Sequence, residues 1–314
     1  MTQTIPVLDL RDYLGGGAPA ERFAKEAGEA LSEIGFFALE HHGVDPDLIR
    51  RAYAAAEAFF LLPEEARRAY EDLSLKGQRG FTSFGREHAK DHPAPDLKEF
   101  WHVGRDLPSG HPLESVYFRN IWPAEVVDFQ PVLSQLYRRL DACALTLLEA
   151  CGAYLGETPD RIREVARDGN TILRLIHYPP IPEGVDPASV RAAAHEDINL
   201  ITLLCEATDA GLELLDRSGA WRPIHALKGQ IVVDAGDMLQ NLTNGVLRST
   251  THRVVNPDNS RSRRLSMPFF VHPRSEVSLA PLASCVARCG GEQRYPSITA
   301  GDYLLQRLKE IGLA

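Results

Sequence analysis

The stretch that decides the fold is residues 249–271, STTHRVVNPDNSRSRRLSMPFFV. It contains two runs of the kind that form strands, Ser249–Val255 and Arg264–Val271. The residues that follow the first run, Asn-Pro-Asp-Asn-Ser from position 256, favour turns. We therefore predict that the two runs form an antiparallel hairpin, which would return Arg264 to the neighbourhood of His252.

Further strand-like runs precede this stretch, and helical patterns lie on both sides of them. The strand-like runs are Thr171–His177, Leu200–Leu204, Leu212–Leu215 and Gln230–Asp234, separated by Gly, Pro, Asp and Asn. Helical spacing of apolar residues occurs in Ala20–Ile34, Phe129–Leu155 and Thr299–Ile311, and Asp45-Pro46 is typical of the start of a helix that runs to about Phe60. Residues 77–112 show no period and are predicted to form long loops. The pattern predicts one compact unit of residues 1–314, with a helical N-terminal half, a sheet-rich core and a closing helix.

The composition is that of a folded protein and excludes several classes. Hydrophobic residues make up 44% of the 314 residues and charged residues 25%, which excludes extensive disorder and fibrous repeats. The formal net charge of −9 argues against nucleic acid as a partner, because phosphate recognition normally requires a basic surface.

The expected location and partners follow from what the sequence lacks. No apolar run is long enough for a membrane helix, and the first residues have no signal-peptide pattern. The five cysteines lack paired spacing, so we interpret them as reduced thiols. We expect a cytoplasmic protein with a small-molecule substrate and with no nucleic-acid or membrane partner. No feature of the sequence indicates an oligomeric state.

Three residues form a candidate metal site. In an extended backbone, residues i and i+2 point the same way, so His195 and Asp197 can face one point while Glu196 faces away. His252, on a second strand, can complete the set. Two imidazoles and one carboxylate on one face of a metal are the ligands of non-haem Fe(II) oxygenases. The predicted hairpin would add Arg264 and Ser266 to the same interior surface.

Several motifs match one family in order along nearly the whole chain. His252-Arg-Val-Val-Asn256, followed by Arg264-Leu-Ser-Met-Pro-Phe-Phe-Val271, resembles the isopenicillin N synthase-like family of Fe(II)/2-oxoglutarate-dependent dioxygenases. The other matching segments are Ile5–Leu10, Gly35–Gly43, Leu173–Pro180, Gly211–Leu215 and Gly236–Gly245.

This resemblance implies the fold class, the segments and the reaction. The fold would be α+β or mainly β: a distorted double-stranded β-helix (jelly roll) with a helical N-terminal half and supporting helices. Residues 4–125 would form a helical N-terminal dioxygenase region, 168–275 the oxygenase core and 298–311 a C-terminal helix. The enzyme would use Fe(II), 2-oxoglutarate and O2 to oxidise, and most commonly hydroxylate, a small organic substrate with release of succinate and CO2.

The resemblance also implies the roles of individual residues. His195, Asp197 and His252 fall on the ligands of the catalytic iron centre. Arg264 and Ser266 fall on the pair that holds the distal carboxylate of 2-oxoglutarate, and a tyrosine near that carboxylate is matched more loosely by Tyr178.

Charge balance supports this implied site. Fe(II) with two neutral imidazoles and one carboxylate has one net positive charge, and the 2-oxoglutarate dianion would make it negative. One buried arginine restores neutrality and can form a bidentate pair with the distal carboxylate, which a lysine could not.

Alternatives remain at this stage for both the substrate pocket and the activity. Arg79, Phe81, Phe84 and Trp101 are candidates for the substrate pocket, but the aromatic residues could instead pack against the barrel rim. The enzyme could be an oxidase of the isopenicillin N synthase type, in which Arg264 and Ser266 bind a substrate carboxylate and no 2-oxoglutarate is used. A non-catalytic binding module on the same fold is a third possibility.

Overall fold

A computed structural model describes residues 5–75, 77–86, 96–181, 184, 189–225, 229–256 and 261–310. Its strands are Val7–Asp9 (β1), Phe36–Glu40 (β2), Gly80–Thr82 (β3), Glu99–Gly104 (β4), Ile172–Tyr178 (β5), Ala192–His195 (β6), Ile201–Cys205 (β7), Leu212–Leu215 (β8), Trp221–Pro223 (β9), Ile231–Ala235 (β10), His252–Val254 (β11) and Arg264–Val271 (β12). Its α-helices are Leu10–Leu14 (α1), Gly17–Glu33 (α2), Pro46–Phe60 (α3), Glu64–Arg68 (α4), Phe129–Leu155 (α5), Pro159–Ala166 (α6), Asp237–Leu242 (α7), Ala283–Arg288 (α8) and Ala300–Glu310 (α9).

The described strands form two sheets. The larger has the order β1-β2-β10-β7-β12-β5-β4-β3, and the smaller has the order β6-β11-β8-β9. Neighbouring strands are antiparallel except β1 and β2, which are parallel. Crossovers between the two sheets are typical of a jelly roll and agree with the predicted fold class.

The larger sheet is buried on both faces, and the two faces have different partners. One face packs under the helices: Leu265, Met267 and Phe269 of β12 belong to the main hydrophobic core, which extends from Leu8 to Ala300. The opposite face forms the interior between the two sheets, where Tyr178 of β5 packs with Val254 of β11. Because successive strand residues alternate between faces, Arg264 and Ser266 share the interior face.

The predicted helices agree with the structure to within a few residues. Helix α5 spans the predicted Phe129–Leu155, and α3 begins after Asp45, whose side chain accepts a hydrogen bond from the Asp47 N–H. The closing helix, α9, ends at Glu310. Ile311, the last residue of the predicted closing helix, and Thr4, the first residue of the predicted N-terminal region, lie outside the described residues. None of the described helices has the length and apolar character needed to cross a membrane. That residues 1–314 form one compact unit stays a prediction, and the hydrophobic core shared by the helices and the larger sheet supports it.

Two predictions about the strands were wrong. Strands β11 and β12 do not pair as a hairpin: β11 lies between β6 and β8, and β12 lies between β5 and β7 in the other sheet. Residues 257–260 of the predicted turn lie outside the described residues. The region of residues 77–112, predicted as loops, contains β3 and β4 at the edge of the larger sheet. Tertiary pairing therefore overrides the weak local pattern.

Candidate metal centre and cosubstrate site

The ends of two strands in the smaller sheet bring the metal-ligand candidates together. His195 ends β6 and pairs in register with His252 at the start of β11. Asp197 follows β6, and one ligand atom from each of these three residues lies within 4.8 Å of the others. The His195 Nε2 and His252 Nε2 atoms are 3.8 Å and 3.7 Å from the same oxygen, Oδ1 of Asp197. This is the only cluster with metal-binding potential found among the described residues.

Backbone carbonyls orient both imidazoles. The Nδ1 atom of His195 lies 2.7 Å from the Ala193 carbonyl, and the Nδ1 atom of His252 lies 3.1 Å from the Thr250 carbonyl. A carbonyl can only accept, so each Nδ1 carries the proton and each Nε2 keeps its lone pair for a metal. Burial, followed by the neighbouring His252, lowers the pKa of His195, which also favours the neutral ring.

The two carboxylate oxygens of Asp197 have different neighbours. Oδ2 accepts a hydrogen bond from the Thr202 hydroxyl, which in turn accepts one from Asn199 at 2.9 Å. The Asp197 carbonyl accepts a hydrogen bond from the Asp237 N–H at 2.7 Å, at the start of α7. Oδ1 therefore faces the two imidazoles with its carboxylate held in place, so the donor set suits one divalent ion with three protein ligands.

A further carboxyl group lies close to this cluster and was not predicted. Asp234 on β10 is buried, and its burial together with the charge of Asp197 raises its pKa well above the ordinary value. Its Oδ1 atom has no hydrogen-bond partner in the described part of the chain. A carboxyl group with a raised pKa favours the neutral form and so limits the negative charge beside Asp197.

The three cosubstrate candidates lie together on the interior face. Arg264 pairs in register with Tyr178, and Ser266 lies opposite Ile176 two residues further along β12. The Arg264 Cζ atom is 5.1 Å from the centre of the Tyr178 ring, and the residue is 2% exposed. Its Nε donates to the Asp209 carbonyl at 3.1 Å, while its Nη1 has no hydrogen-bond partner among the described residues. Arg264 lines a cavity of about 240 Å³, whose other lining residues are 204–210, 212, 224, 225 and 232. A dry guanidinium next to a cavity is suited to an anion.

The structure does not bring the four predicted pocket residues to this site. Trp101 and Phe81 belong to the main hydrophobic core, where each ring packs against Phe59. Arg79 is buried and donates to Gln78 and Asn170, whereas Phe84 is 39% exposed. Phe81 on β3 and Trp101 on β4 therefore pack behind the sheet.

The neighbours of Trp101 on β4 face the interior instead. Phe100 packs with Tyr178, and His102 lies two residues further on the same face. Arg174 of β5 pairs with His102, and its Cζ atom is 4.2 Å from the Phe100 ring centre and 5.3 Å from that of Phe270. Sequence reasoning missed these residues, although alternation along Glu99–Gly104 could have indicated them once β4 was recognised.

His272 immediately follows β12 and gives rise to a pH prediction. Burial lowers its pKa to about 4; the charge of Asp197 opposes this shift and that of Arg174 adds to it. The folded state therefore resists protonation, so stability is complete above pH 6.5 and falls as the pH drops toward 4. Between about pH 7 and 5, we expect the wild type to lose about 1–2 kcal/mol more unfolding free energy than His272→Phe.

Urea unfolding of the metal-free, full-length protein at both pH values measures this difference. Replacing the exposed His225 with phenylalanine controls for the loss of any histidine. Equal pH dependence of wild type and His272→Phe would contradict the prediction.

Known proteins share both halves of this arrangement. A family model described as the non-haem dioxygenase N-terminal region (in morphine synthesis) matches residues 5–125, and the 2OG-Fe(II) oxygenase superfamily model matches residues 169–273. The 2-oxoglutarate-dependent dioxygenase traH of Penicillium crustosum is 31% identical over 85% of this chain and 84% of its own length. The chain belongs to the 2OG-Fe(II) oxygenase superfamily.

Solved structures place the oxygenase in the same group. An oxygenase of this family from Caulobacter crescentus has 44% identity and a TM-score of 0.87, covering 98% of this chain and 99% of the other. A full-length Neurospora crassa protein, solved in complex with alpha-KG and thymine, has 28% identity and a TM-score of 0.86 and covers 98% and 97%. The protein is a non-haem dioxygenase that uses Fe(II), 2-oxoglutarate and O2. The predicted membership of the Fe(II)/2-oxoglutarate oxygenases, the fold class, the activity and the cofactors are thus confirmed, whereas the isopenicillin N synthase-like assignment stays a prediction.

Proposed function

We propose that His195, Asp197 and His252 bind the Fe(II) of this dioxygenase, and that Arg264, Ser266 and Tyr178 bind its 2-oxoglutarate. The observation that carries the proposal is the approach of three ligand atoms to within 4.8 Å of one another in a barrel whose interior also holds a buried arginine. When bound, the iron would supply the oxidising chemistry, in which O2, 2-oxoglutarate and a small organic substrate yield succinate, CO2 and the hydroxylated substrate.

The chain contributes geometry and charge to this reaction. The Ala193 and Thr250 carbonyls fix the histidine tautomers, and Thr202 fixes the Asp197 carboxylate. Such support commonly changes metal affinity by about 10–100-fold. The Arg264 guanidinium offers a planar fork to the distal carboxylate of the cosubstrate, which fixes the direction in which 2-oxoglutarate enters the barrel.

The substrate binds, in this proposal, beside a wall made of Phe100, His102, Arg174 and Phe270, which we call the interior wall. Phe270 pairs in register with Thr202, whose hydroxyl donates to Asp197, so the wall begins next to the metal ligands. The Arg174 Nε donates to His102 Nε2 at 2.5 Å, and the His102 Nδ1 lies 2.6 Å from the Gly77 carbonyl. These hydrogen bonds hold the guanidinium near the rings of Phe100 and Phe270.

A wall of this kind favours a planar substrate with carbonyl or carboxylate oxygens. The rings supply flat apolar surface, and the guanidinium adds positive charge. The Neurospora crassa relative, whose structure holds the planar dione thymine, is consistent with such a substrate class. The interior wall replaces the pocket of Arg79, Phe81, Phe84 and Trp101 as our proposed substrate surface.

The test is an anaerobically loaded Fe(II) enzyme given 2-oxoglutarate, O2 and a panel of pyrimidine diones and small aromatic carboxylic acids. We expect iron-dependent O2 uptake, with succinate formed in step with oxidised product. Product without succinate would indicate the oxidase that uses no 2-oxoglutarate. A complete lack of Fe(II)-dependent O2 uptake with every compound of the panel would contradict the proposed substrate class.

Replacing Arg174 with glutamine should lower kcat/KM for the preferred compound of the panel by at least about tenfold. The reason is that a hydrogen bond to a charged group is commonly worth about 1.5–3 kcal/mol. The KM for 2-oxoglutarate should stay within about twofold, because Arg174 is remote from Arg264 along the interior face. Arg288→Gln is the matched control, since this surface arginine also stacks on a ring, 4.9 Å from the centre of Tyr154. An unchanged kcat/KM in Arg174→Gln would remove Arg174 from the substrate surface.

We also propose that the enzyme is cytoplasmic and acts without a nucleic-acid or membrane partner. All five cysteines are unpaired thiols, as is usual in a reducing compartment. The net charge of −9 disfavours binding to nucleic acids and to anionic membranes.

A further inference from the structure

A second buried arginine lies next to the proposed cosubstrate site. Arg191 precedes β6, four residues before His195, and its side chain is 1% exposed. Its Cζ atom is 5.7 Å from the centre of the Tyr178 ring, while that of Arg264 is 5.1 Å from the same centre. Two guanidinium groups therefore share one aromatic ring in the interior of the protein.

Several N–H groups of these two guanidiniums have no hydrogen-bond acceptor among the described residues. Arg191 donates through Nη2 to the Ser262 carbonyl at 2.7 Å, but its Nε and Nη1 have no hydrogen-bond acceptor in the described part of the chain. The Arg264 Nη1 also lacks one. The Asp209 carboxylate is 3.7 Å from the Arg191 Nη1, and this carboxylate is 39% exposed, so water weakens its compensation of the buried charges.

Two like charges in a dry interior oppose each other. Burial and then the charge of Arg264 lower the pKa of Arg191, which is the direction expected when the charged form is disfavoured. An anion held beside Arg264 would turn this repulsion into attraction for both groups, because it would lie within the field of both guanidiniums.

We propose that Arg191 is a positioning residue for 2-oxoglutarate, which strengthens the hold of Arg264 on the distal carboxylate through its charge beside Tyr178. The inference rests on the proposed role of Arg264 and extends it. The second positive charge selects 2-oxo acids that carry a distal carboxylate over those that carry none. The 2-oxo acid group at the metal end gains nothing from it.

The experiment compares two ligands that differ at this carboxylate. Calorimetry on the full-length protein, with Co(II) in place of Fe(II) so that no turnover occurs, gives the Kd of 2-oxoglutarate and of 2-oxobutanoate. In Arg191→Gln we expect the Kd of 2-oxoglutarate to rise about tenfold, as for the loss of one charged interaction, and that of 2-oxobutanoate to change less than about twofold. Arg191→Lys, which keeps the charge, should recover most of the loss.

Arg253→Gln is the matched control. Arg253 lies on β11, where it stacks on Trp221 and pairs with Glu213 on the outer surface, so its removal takes away one positive charge at a distance from Tyr178. Circular dichroism verifies the fold of each variant. If Arg191→Gln does not fold, Arg191→Lys is the test variant, because it keeps the positive charge. An Arg191→Lys protein that lost the preference for 2-oxoglutarate would overturn the proposed role of charge.

The outcomes separate this inference from the proposed function. If Arg191→Gln bound both ligands equally more weakly than the wild type, Arg191 would have a structural role only. If its affinity for both ligands were unchanged, Arg191 would have no role. Either result would overturn the inference. A wild type that binds 2-oxoglutarate no better than 2-oxobutanoate would instead overturn the proposed role of Arg264 itself.

Discussion

We expect that replacing Asp197 with alanine strongly weakens Fe(II) binding and eliminates O2 uptake. Asp197 is the only charged member of the proposed ligand set, and its Oδ1 is the atom that both imidazole Nε2 atoms approach, at 3.8 Å and 3.7 Å. Its loss also leaves the Thr202 hydroxyl without the acceptor it has in the wild type. Because removal of a group that merely supports a ligand costs about 10–100-fold in affinity, we expect more than about 100-fold weaker Fe(II) binding.

Metal analysis after dialysis and O2 uptake measure the effect separately. Glu196→Ala is the matched control, because this neighbouring carboxylate accepts a hydrogen bond from Thr251 and is not part of the cluster of ligand atoms. We expect Glu196→Ala to keep stoichiometric iron. An Asp197→Ala protein that retained iron and activity would refute the proposed metal site.

The ligand candidates could be predicted because their geometry is local. His195 and Asp197 are two residues apart, so the backbone alone places them on one side, and only His252 needs a second strand. The structure pairs His195 with His252 across β6 and β11, which the sequence pattern did not predict. The sequence pattern placed His252 on a second strand-like run, Ser249–Val255, and the motif resemblance then implied that it is a ligand of the same metal.

The predicted hairpin shows where local reasoning fails. Turn residues after Val255 predict a reversal of the chain, but a predicted reversal does not specify that the flanking strands pair with each other. In this fold β11 and β12 lie in facing sheets, and Arg264 reaches the interior through its pairing with Tyr178 on β5. Pairing partners that are distant in sequence are set by the packing of the whole core.

The substrate surface that we propose lies on the opposite face of β4 from the predicted Trp101. Strand β4 is buried on both faces, so Phe100, Trp101 and His102 alternate without a polar side to mark the exterior. Trp101 was predicted as a substrate-pocket residue, but its ring packs in the hydrophobic core against Phe59. Arg191 likewise gave no signal, because an isolated arginine before three alanines is indistinguishable from a surface residue until the fold buries it.

Replacing Arg264 with glutamine raises the Kd of 2-oxoglutarate by at least about 30-fold, because loss of one partner of a buried charge pair costs about 2–5 kcal/mol. Arg264→Lys should recover only part of this, since lysine keeps the charge but lacks the planar fork. Calorimetry on the Co(II)-loaded protein measures the affinity, and Arg253→Gln serves again as the matched control. An unchanged Kd in Arg264→Gln would place the cosubstrate elsewhere.

The kinetics of Arg264→Gln also show which anion the Arg264 guanidinium binds, the distal carboxylate of 2-oxoglutarate or a carboxylate of the organic substrate. If Arg264 holds 2-oxoglutarate, the KM for the cosubstrate rises, while the KM for the organic substrate changes little and product still forms with an equal amount of succinate. If Arg264 instead held a carboxylate of the organic substrate, the KM for that substrate would rise and the KM for 2-oxoglutarate would change little. The buried guanidinium opposite Tyr178 can serve only one of these anions at a time, so the variant assigns its partner directly.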